Sequence, residues 1–281
     1  MSETATTDRD VFDRIAFVLC DLDGVVWLAR QAIDGAPEAI ARLRDSGRRV
    51  LFVTNNSVSV VAEQERALVS IGIPAAGDVV TSAQAAASLV RPGERVMVCG
   101  GPGVREAVIA RGATVVEPVA RTSPRPDAVI VGLTREVDYA MLDAASAAVR
   151  SGARFVATND DSTFPTPDGL TPGAGAIVAA VAAAAGVPPT IAGKPHAPMG
   201  ALVRTMCGPD FGADTALMVG DRWSTDGAFA DVLGCPFALV RSGVTPIGAE
   251  SGGVADIDED DLAAVADALL GSREPSDCTE E

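Results

Sequence analysis

Residues 15–25 read IAFVLCDLDGV, an apolar run that ends in two closely spaced acidic residues. The run from Ile15 to Cys20 is typical of a strand that is buried on both faces, as in a parallel sheet. Asp21-Leu22-Asp23-Gly24 predicts a polar turn at the end of that strand. Because parallel sheets bind ligands at the carboxyl ends of their strands, this stretch predicts both a fold class and a place for a site.

The same order of elements returns twice along the chain. A second predicted strand, Val50 to Val53, ends in Thr54-Asn55-Asn56-Ser57 and is followed by a predicted helix from about Val60 to Ser70. Towards the C-terminus, the predicted strand Ala216 to Val219 runs into Gly220-Asp221. This alternation of strand, polar loop and helix indicates an α/β protein with a Rossmann-like core built on a parallel sheet.

The middle of the chain has an α/β pattern of its own. Strands are predicted at Arg95 to Cys99, Ala128 to Val131 and Arg154 to Ala157, and an Ala-rich helix from Ala174 to Ala185 precedes a hinge at Pro188-Pro189. We therefore expect a core domain built from both ends of the chain, with an α/β cap domain inserted into it. The predicted boundaries are 1–83 and 190–270 for the core, 84–189 for the cap and 271–281 for a disordered tail.

Composition and charge narrow the range of partners. A formal net charge of −16 over 281 residues argues against nucleic acids and anionic membranes, because those surfaces attract clustered positive charge. The apolar runs are too short to span a membrane, and the polar residues 1–10 do not resemble a signal peptide. Five cysteines without a CxxC pair predict reduced thiols, not a zinc site or disulfides. We expect a cytoplasmic protein.

Four places in the sequence carry the groups that phosphate chemistry needs. Cleavage of a phosphomonoester requires an in-line nucleophile, an acid for the leaving oxygen and positive charge around the phosphoryl oxygens. If the predicted sheet is parallel, these places meet at one edge of it. They are Asp21 with Asp23 after the first strand, Thr54 with Asn55 after the second, Lys194 after the hinge, and Asp221 after the penultimate strand.

Lys194 is the only lysine among the 22 basic residues, since all the others are arginine. A compact ammonium group fits where a planar guanidinium cannot. The retention of lysine at this one position marks it as a functional candidate.

The spacing of Asp21 and Asp23 suits a metal ion. Two carboxylates separated by one residue repel each other, and this repulsion favours a bound divalent cation. Mg²⁺ matches because it prefers oxygen ligands and retains several waters. Asp-x-Asp-Gly is also a common turn sequence, so the pair taken alone leaves a structural explanation open. The other three clusters favour the catalytic one.

Together these motifs resemble those of the haloacid dehalogenase superfamily of phosphohydrolases. They occur in the family's order as Asp21-Leu22-Asp23-Gly24-Val25, Thr54-Asn55-Asn56, Gly193-Lys194-Pro195, and Gly220-Asp221-Arg222 with Thr225-Asp226. A cap inserted between the second and third motifs is similar to the branch that contains p-nitrophenyl, phosphoglycolate, glycerol-phosphate and pyridoxal phosphatases. The resemblance extends over nearly the whole chain.

The resemblance implies roles for the motif residues. Asp21 is expected to be the nucleophile, and Asp23 the acid that protonates the leaving group and then activates water. Lys194 is expected to neutralise charge as the intermediate forms. The implied phosphate-binding residues are Thr54, Asn55, Asn56 and Lys194. The implied Mg²⁺ ligands are Asp21, Asp23 through its backbone carbonyl, and Asp221. Asp226 is implied to contact these ligands without binding the metal itself.

Several further features are interpreted structurally. Gly227 stands where the family usually has an apolar residue, which makes the start of the following helix uncertain. Trp223 is expected to pack, Gly100 to Gly103 to form a tight strand-to-helix turn, and His196 to be structural or to line the rim of the site. Segment 159–173 resembles the substrate-facing cap loop of the family.

The leading hypothesis is magnesium-dependent hydrolysis of a small-metabolite phosphomonoester, such as glycerol 3-phosphate or phosphoglycolate, through an aspartyl-phosphate. One alternative is a weakly catalytic binding or regulatory protein on the same fold, against which the intact set of motif residues argues. Another is phosphoryl transfer to an acceptor other than water. The expected partner is a small phosphorylated metabolite, and the family resemblance adds the expectation of a homodimer formed through the cap.

Overall fold

A computed structural model describes residues 12–119, 124–166, 169–245, 247–250 and 252–271. The strands are β1 (Phe17–Cys20), β2 (Trp27–Leu28), β3 (Gln31–Ala32), β4 (Arg49–Thr54), β5 (Val79–Thr81), β6 (Arg95–Cys99), β7 (Thr114–Val116), β8 (Ala128–Val131), β9 (Arg154–Ala157), β10 (Thr163–Thr166), β11 (Gly169–Pro172), β12 (Thr190–Ile191), β13 (Ala216–Gly220), β14 (Phe237–Val240) and β15 (Ile257–Glu259).

The helices alternate with these strands along most of the described chain. They are α1 (Ala36–Asp45), α2 (Val61–Ser70), α3 (Ser82–Ser88), α4 (Pro102–Ala110), α5 (Tyr139–Arg150), α6 (Ala174–Ala185), α7 (Ala197–Cys207), α8 (Ala228–Leu233) and α9 (Leu262–Leu270), with a π-helical turn at Trp223–Gly227. None of the helices in these described residues is long and apolar enough to cross a membrane.

The chain divides into two compact units. The first comprises Met1–Phe52, Ile71–Ile73 and Pro209–Glu281, and the second comprises Val53–Ser70 and Pro74–Gly208. The predicted α/β class, with a Rossmann-like parallel-sheet core and an inserted α/β cap, is confirmed. The cap boundaries at 84 and 189 stay a prediction, and residues 272–281 of the predicted tail lie outside the described residues.

In the first unit, the strand that decides the fold is the centre of a parallel sheet. β1 pairs with β13 on one side and β4 on the other, and β14 and β15 extend the sheet beyond β13, all in parallel. All four residues of β1 are buried, as the uninterrupted apolar run predicts. The carboxyl ends of β1 and β13 are therefore neighbours, and each leads into an aspartate.

In the second unit, five parallel strands form a sheet in the order β12-β9-β8-β6-β7. Helices α5 and α6 cover one side of it, and their Ala-rich faces pack onto the strands through residues such as Ala145, Val181 and Val129. Helix α6 ends where Gly186 adopts a φ of 76°, so the predicted glycine stop is confirmed. This unit is thus an α/β layer with its own apolar core.

Two short hairpins depart from the sequence prediction. Strands β2 and β3 form an antiparallel pair whose two turn residues, Ala29 and Arg30, have φ of 49° and 67°. Strands β10 and β11 form another antiparallel pair within segment 159–173, which resembles a loop in sequence. The residues between them, Pro167 and Asp168, lie outside the described residues.

Candidate active site

Three carboxylates form a compact cluster in the first unit. Asp21 follows β1, Asp221 follows β13, and Asp226 lies in the π-helical turn. One oxygen from each lies within 4.8 Å of the others, and Asp221 and Asp226 are buried. Three negative charges this close, two of them shielded from water, favour a bound cation. Their oxygen-only donor set fits Mg²⁺.

The backbone around Asp221 leaves room for its carboxylate only because two neighbouring residues are glycines. A Cβ on Gly24 would lie 2.3 Å from Asp221 Oδ2, and one on Gly243 would lie 2.0 Å from the same atom. The Val244 N–H donates a hydrogen bond of 2.7 Å to this oxygen. The carboxylate is therefore held from two sides by chain segments far apart in sequence.

Asp226 is held by the turn that contains it. Its Oδ2 accepts a hydrogen bond of 3.3 Å from the Arg222 N–H, and its own N–H donates to the Arg222 carbonyl at 2.8 Å. The side chain packs so closely on Gly220 that a Cβ there would lie 2.2 Å from it. The role predicted for Asp226, as a residue that supports the metal ligands, stays a prediction. In the structure its carboxylate lies within the cluster itself.

The unusual Gly227 has a packing explanation. A Cβ at this position would lie 2.3 Å from the Trp223 ring, which also meets Phe237 edge-on with 5.6 Å between ring centroids. Glycine thus lets the indole lie against the turn, and the helix begins only afterwards, as α8. The expectation that Trp223 packs is confirmed.

Asp23 lies on the first turn after β1 and differs from the cluster in its surroundings. Its residue is exposed, yet its Oδ1 accepts a hydrogen bond of 3.0 Å from Nε1 of the buried Trp27. Sequence reasoning gave no part to Trp27. The available signal was an aromatic residue four positions after a predicted catalytic acid. The contact between the two depends on the chain reversal at β2 and β3, which the sequence did not predict.

The predicted phosphate-binding residues begin in the second unit at the end of β4. Thr54 is buried, and its Oγ1 accepts a hydrogen bond of 3.0 Å from the Asn56 N–H. The Asn56 side chain in turn accepts from the Val58 N–H at 3.0 Å and the Ser59 N–H at 3.4 Å. These bonds fix the turn that precedes α2, and they use the backbone N–H groups of Asn56, Val58 and Ser59.

Asn55 joins this turn to Lys194. Its Oδ1 accepts from the Lys194 N–H at 2.8 Å, and its Nδ2 donates to the Lys194 carbonyl at 3.0 Å and to Asp161 Oδ2 at 3.1 Å. The side-chain amide of Asn55 is therefore occupied by structural contacts. A phosphate-binding role for Asn55 would use its backbone N–H.

Lys194 is buried, with 1% of its surface exposed. A buried ammonium group is costly unless negative charge or hydrogen-bond acceptors compensate it. The lysine that the sequence marks as a functional candidate therefore also lies in a buried position, which is uncommon for an ammonium group. Two residues further on, His196 stands at the N-cap position of α7, and its Nε2 lies 3.2 Å from Asp160 Oδ2.

Other candidates take the structural roles expected of them. Gly101 precedes α4 in a tight turn, and a Cβ on Gly103 would lie 2.4 Å from the Ser59 carbonyl oxygen. Cys20, Cys99, Cys207 and Cys235 are buried thiols. Burial raises the pKa of the Cys99 thiol to about 12, so it stays protonated at neutral pH.

The structure thus brings together two sets of predicted residues, each within its own unit. One set is the carboxylate cluster with Asp23 nearby in sequence, and the other is Thr54, Asn55, Asn56 and Lys194. Their convergence at one edge stays a prediction. Sequence reasoning missed Trp27, Gly243 and Asp161 because their contacts depend on tertiary folding.

Two family profiles match the chain. One, described as haloacid dehalogenase-like hydrolase, matches residues 18–114, and one described as HAD-hydrolase-like matches residues 191–269. The four motifs lie within these two ranges.

Individual proteins show similarity over larger parts of the chain. D-glycerol 3-phosphate phosphatase from Mycobacterium tuberculosis is 42% identical over 81% of this chain and 63% of its own length. A crystal structure of glycerol phosphate phosphatase from the same organism, in complex with magnesium, is 39% identical over 83% of this chain and 68% of that chain, with a TM-score of 0.75. The p-nitrophenyl phosphatase from Archaeoglobus fulgidus superposes with a TM-score of 0.84 at 25% identity, over 90% of this chain and 99% of that one.

Proposed function

This chain belongs to the family of haloacid dehalogenase-like hydrolases, and from that membership we propose that it hydrolyses the phosphomonoester of a small metabolite in a magnesium-dependent reaction. The observation that carries the proposal is the carboxylate cluster, in which Asp21 lies at the carboxyl end of the central strand beside Asp221 and Asp226. Bound Mg²⁺ would neutralise phosphoryl charge and orient the substrate there. The three similar proteins reported above are named as phosphatases.

The reaction has two steps. Asp21 attacks phosphorus and forms an acyl-phosphate bond while the bond to the leaving oxygen breaks and Asp23 gives that oxygen a proton. Asp23 then takes a proton from water, whose oxygen attacks phosphorus, so that inorganic phosphate leaves and the Asp21 carboxylate is restored. In this proposal, Lys194 and the backbone N–H of Asn55 supply positive charge to the phosphoryl oxygens.

Glycerol 3-phosphate is the first substrate to test, because the Mycobacterium tuberculosis relative is named for it. We extend the proposal to a cytoplasmic protein that forms a homodimer through the inserted domain. In the second unit, the large apolar side chains Ile109, Tyr139 and Leu170 are exposed to solvent.

Removal of Mg²⁺ tests the proposal directly. Chelation with EDTA should lower phosphate release from p-nitrophenyl phosphate and glycerol 3-phosphate about a hundredfold, because the carboxylate cluster then repels the anionic substrate. Readdition of Mg²⁺ should restore the rate. Turnover that is the same with and without the metal would contradict the proposed function.

Gly243→Ala should weaken Mg²⁺ binding through Asp221. The new Cβ would lie 2.0 Å from Asp221 Oδ2 and 2.6 Å from its Cβ, so the carboxylate has to move. We expect the Mg²⁺ concentration for half-maximal activity to rise about tenfold or more. Titration of activity with Mg²⁺ measures this change, and recovery at high Mg²⁺ shows that the protein is folded. An unaltered titration curve would argue against Asp221 as a ligand.

A further inference from the structure

We infer that Trp27 is a positioning residue for proton transfer, because its indole N–H holds the carboxyl group of Asp23. The inference deepens the proposed function and rests on it, since Asp23 has to act as the acid of that reaction. Nothing in the motif resemblance assigns Trp27 a part in catalysis.

The contact joins a buried donor to an exposed acceptor. Trp27 is 2% exposed, and its Nε1 donates to Asp23 Oδ1 at 3.0 Å, whereas Asp23 itself is accessible to solvent. An indole has one N–H and no acceptor, so its hydrogen bond has a fixed direction. The hydrogen bond thereby attaches the exposed carboxyl group of Asp23 to a buried side chain.

The backbone holds the indole in place. The Trp27 N–H donates to the Leu22 carbonyl at 3.1 Å, and the Trp27 carbonyl accepts from the Gly24 N–H at 2.8 Å. Trp27 also pairs with Ala32 across the hairpin of β2 and β3. The hairpin therefore closes back onto the turn that carries Asp23, and this places the indole beside the carboxylate.

A simpler explanation is that a buried indole N–H needs an acceptor and Asp23 supplies it. The two explanations differ in what they predict for leaving groups. An alkoxide such as that of glycerol needs a proton as it departs, but p-nitrophenolate is stable without one. Misplacing the acid therefore slows alkyl phosphates more than aryl phosphates, whereas a general loss of stability slows both equally.

Trp27→Phe keeps an aromatic ring and removes the N–H. We expect kcat/KM for glycerol 3-phosphate to fall about tenfold or more, and kcat/KM for p-nitrophenyl phosphate to change by less than about twofold. Both substrates are assayed on one preparation with saturating Mg²⁺, so an unfolded fraction cancels in their ratio. Leu28→Ala, on the exposed neighbour in β2, is the matched control and should leave the ratio unchanged.

Asp23→Asn separates this inference from the proposed function. It should lower the ratio of alkyl to aryl hydrolysis strongly, and adding Trp27→Phe to it should lower the ratio no further. If Asp23→Asn leaves the ratio unchanged, the proposed role of Asp23 fails. If Asp23→Asn lowers the ratio but Trp27→Phe alone slows both substrates equally, or neither, Trp27 is structural and the inference is overturned.

Discussion

Asp21→Asn should reduce phosphate release by about 10⁴-fold or more, because an amide cannot serve as the nucleophile that forms the acyl-phosphate. The substitution keeps the size of the side chain, and Asp21 lies at the end of the buried β1, whose pairing with β13 and β4 does not involve the carboxylate. We therefore expect a folded, inactive protein. Steady-state release of phosphate with saturating Mg²⁺ measures the loss.

Asp45→Asn is the matched control, since it makes the same chemical change at the exposed end of α1. Its rate should equal that of the unaltered protein. Acid quenching of the unaltered protein with radiolabelled substrate should trap label on Asp21, and the Asp21→Asn protein should trap none. A variant at position 21 that turns over normally would remove the foundation of the proposed mechanism.

Lys194→Met should lower kcat/KM by about 10³-fold, because it removes a full positive charge from a buried position where charge acts strongly. Lys194→Arg should lose at least about a hundredfold, although it keeps the charge. Asn55 fixes the backbone of residue 194 at both its N–H and its carbonyl, so the chain cannot withdraw to admit the wider guanidinium.

Arg204→Met serves as the control for Lys194, because it removes a positive charge from an exposed position in α7, the helix that follows. We expect its kcat/KM to be unchanged. Thermal unfolding of each variant checks that loss of activity is not loss of fold. Full activity of Lys194→Arg would show that compactness is not the reason for lysine at this position.

Elements with an uninterrupted pattern were predictable from sequence, and an element with an unusual turn sequence was not. Strands β6, β8 and β9 and helix α6 have the predicted bounds because each is a run of apolar residues or alanines that ends at a turn residue. The hairpin of β2 and β3 escaped prediction because its turn is Ala29-Arg30, while such turns usually carry Asn or Gly at positive φ.

In the candidate site, residues within motifs were predictable from sequence, and residues that contribute only through tertiary contacts were not. Motif order was enough to select Asp21, Asp221 and Lys194, since each follows a predicted strand or hinge. The contacts of Gly243 with Asp221 and of Asp161 with Asn55 could not be predicted, because neither residue belongs to a motif with readable chemistry. Strands β10 and β11 contain Pro165 and Pro172, and an isolated two-stranded pair tolerates such prolines.

The hydrogen bonds between Asn55 and Lys194 link residues 139 positions apart. During synthesis, a ribosome adding roughly 5 to 20 residues per second needs on the order of 7 to 28 seconds to make the second partner after the first. Until then the Asn55 amide lacks its two hydrogen bonds to the backbone of Lys194. The emerging chain therefore contains all the residues of its predicted phosphate-binding set only when most of the polypeptide has already been made.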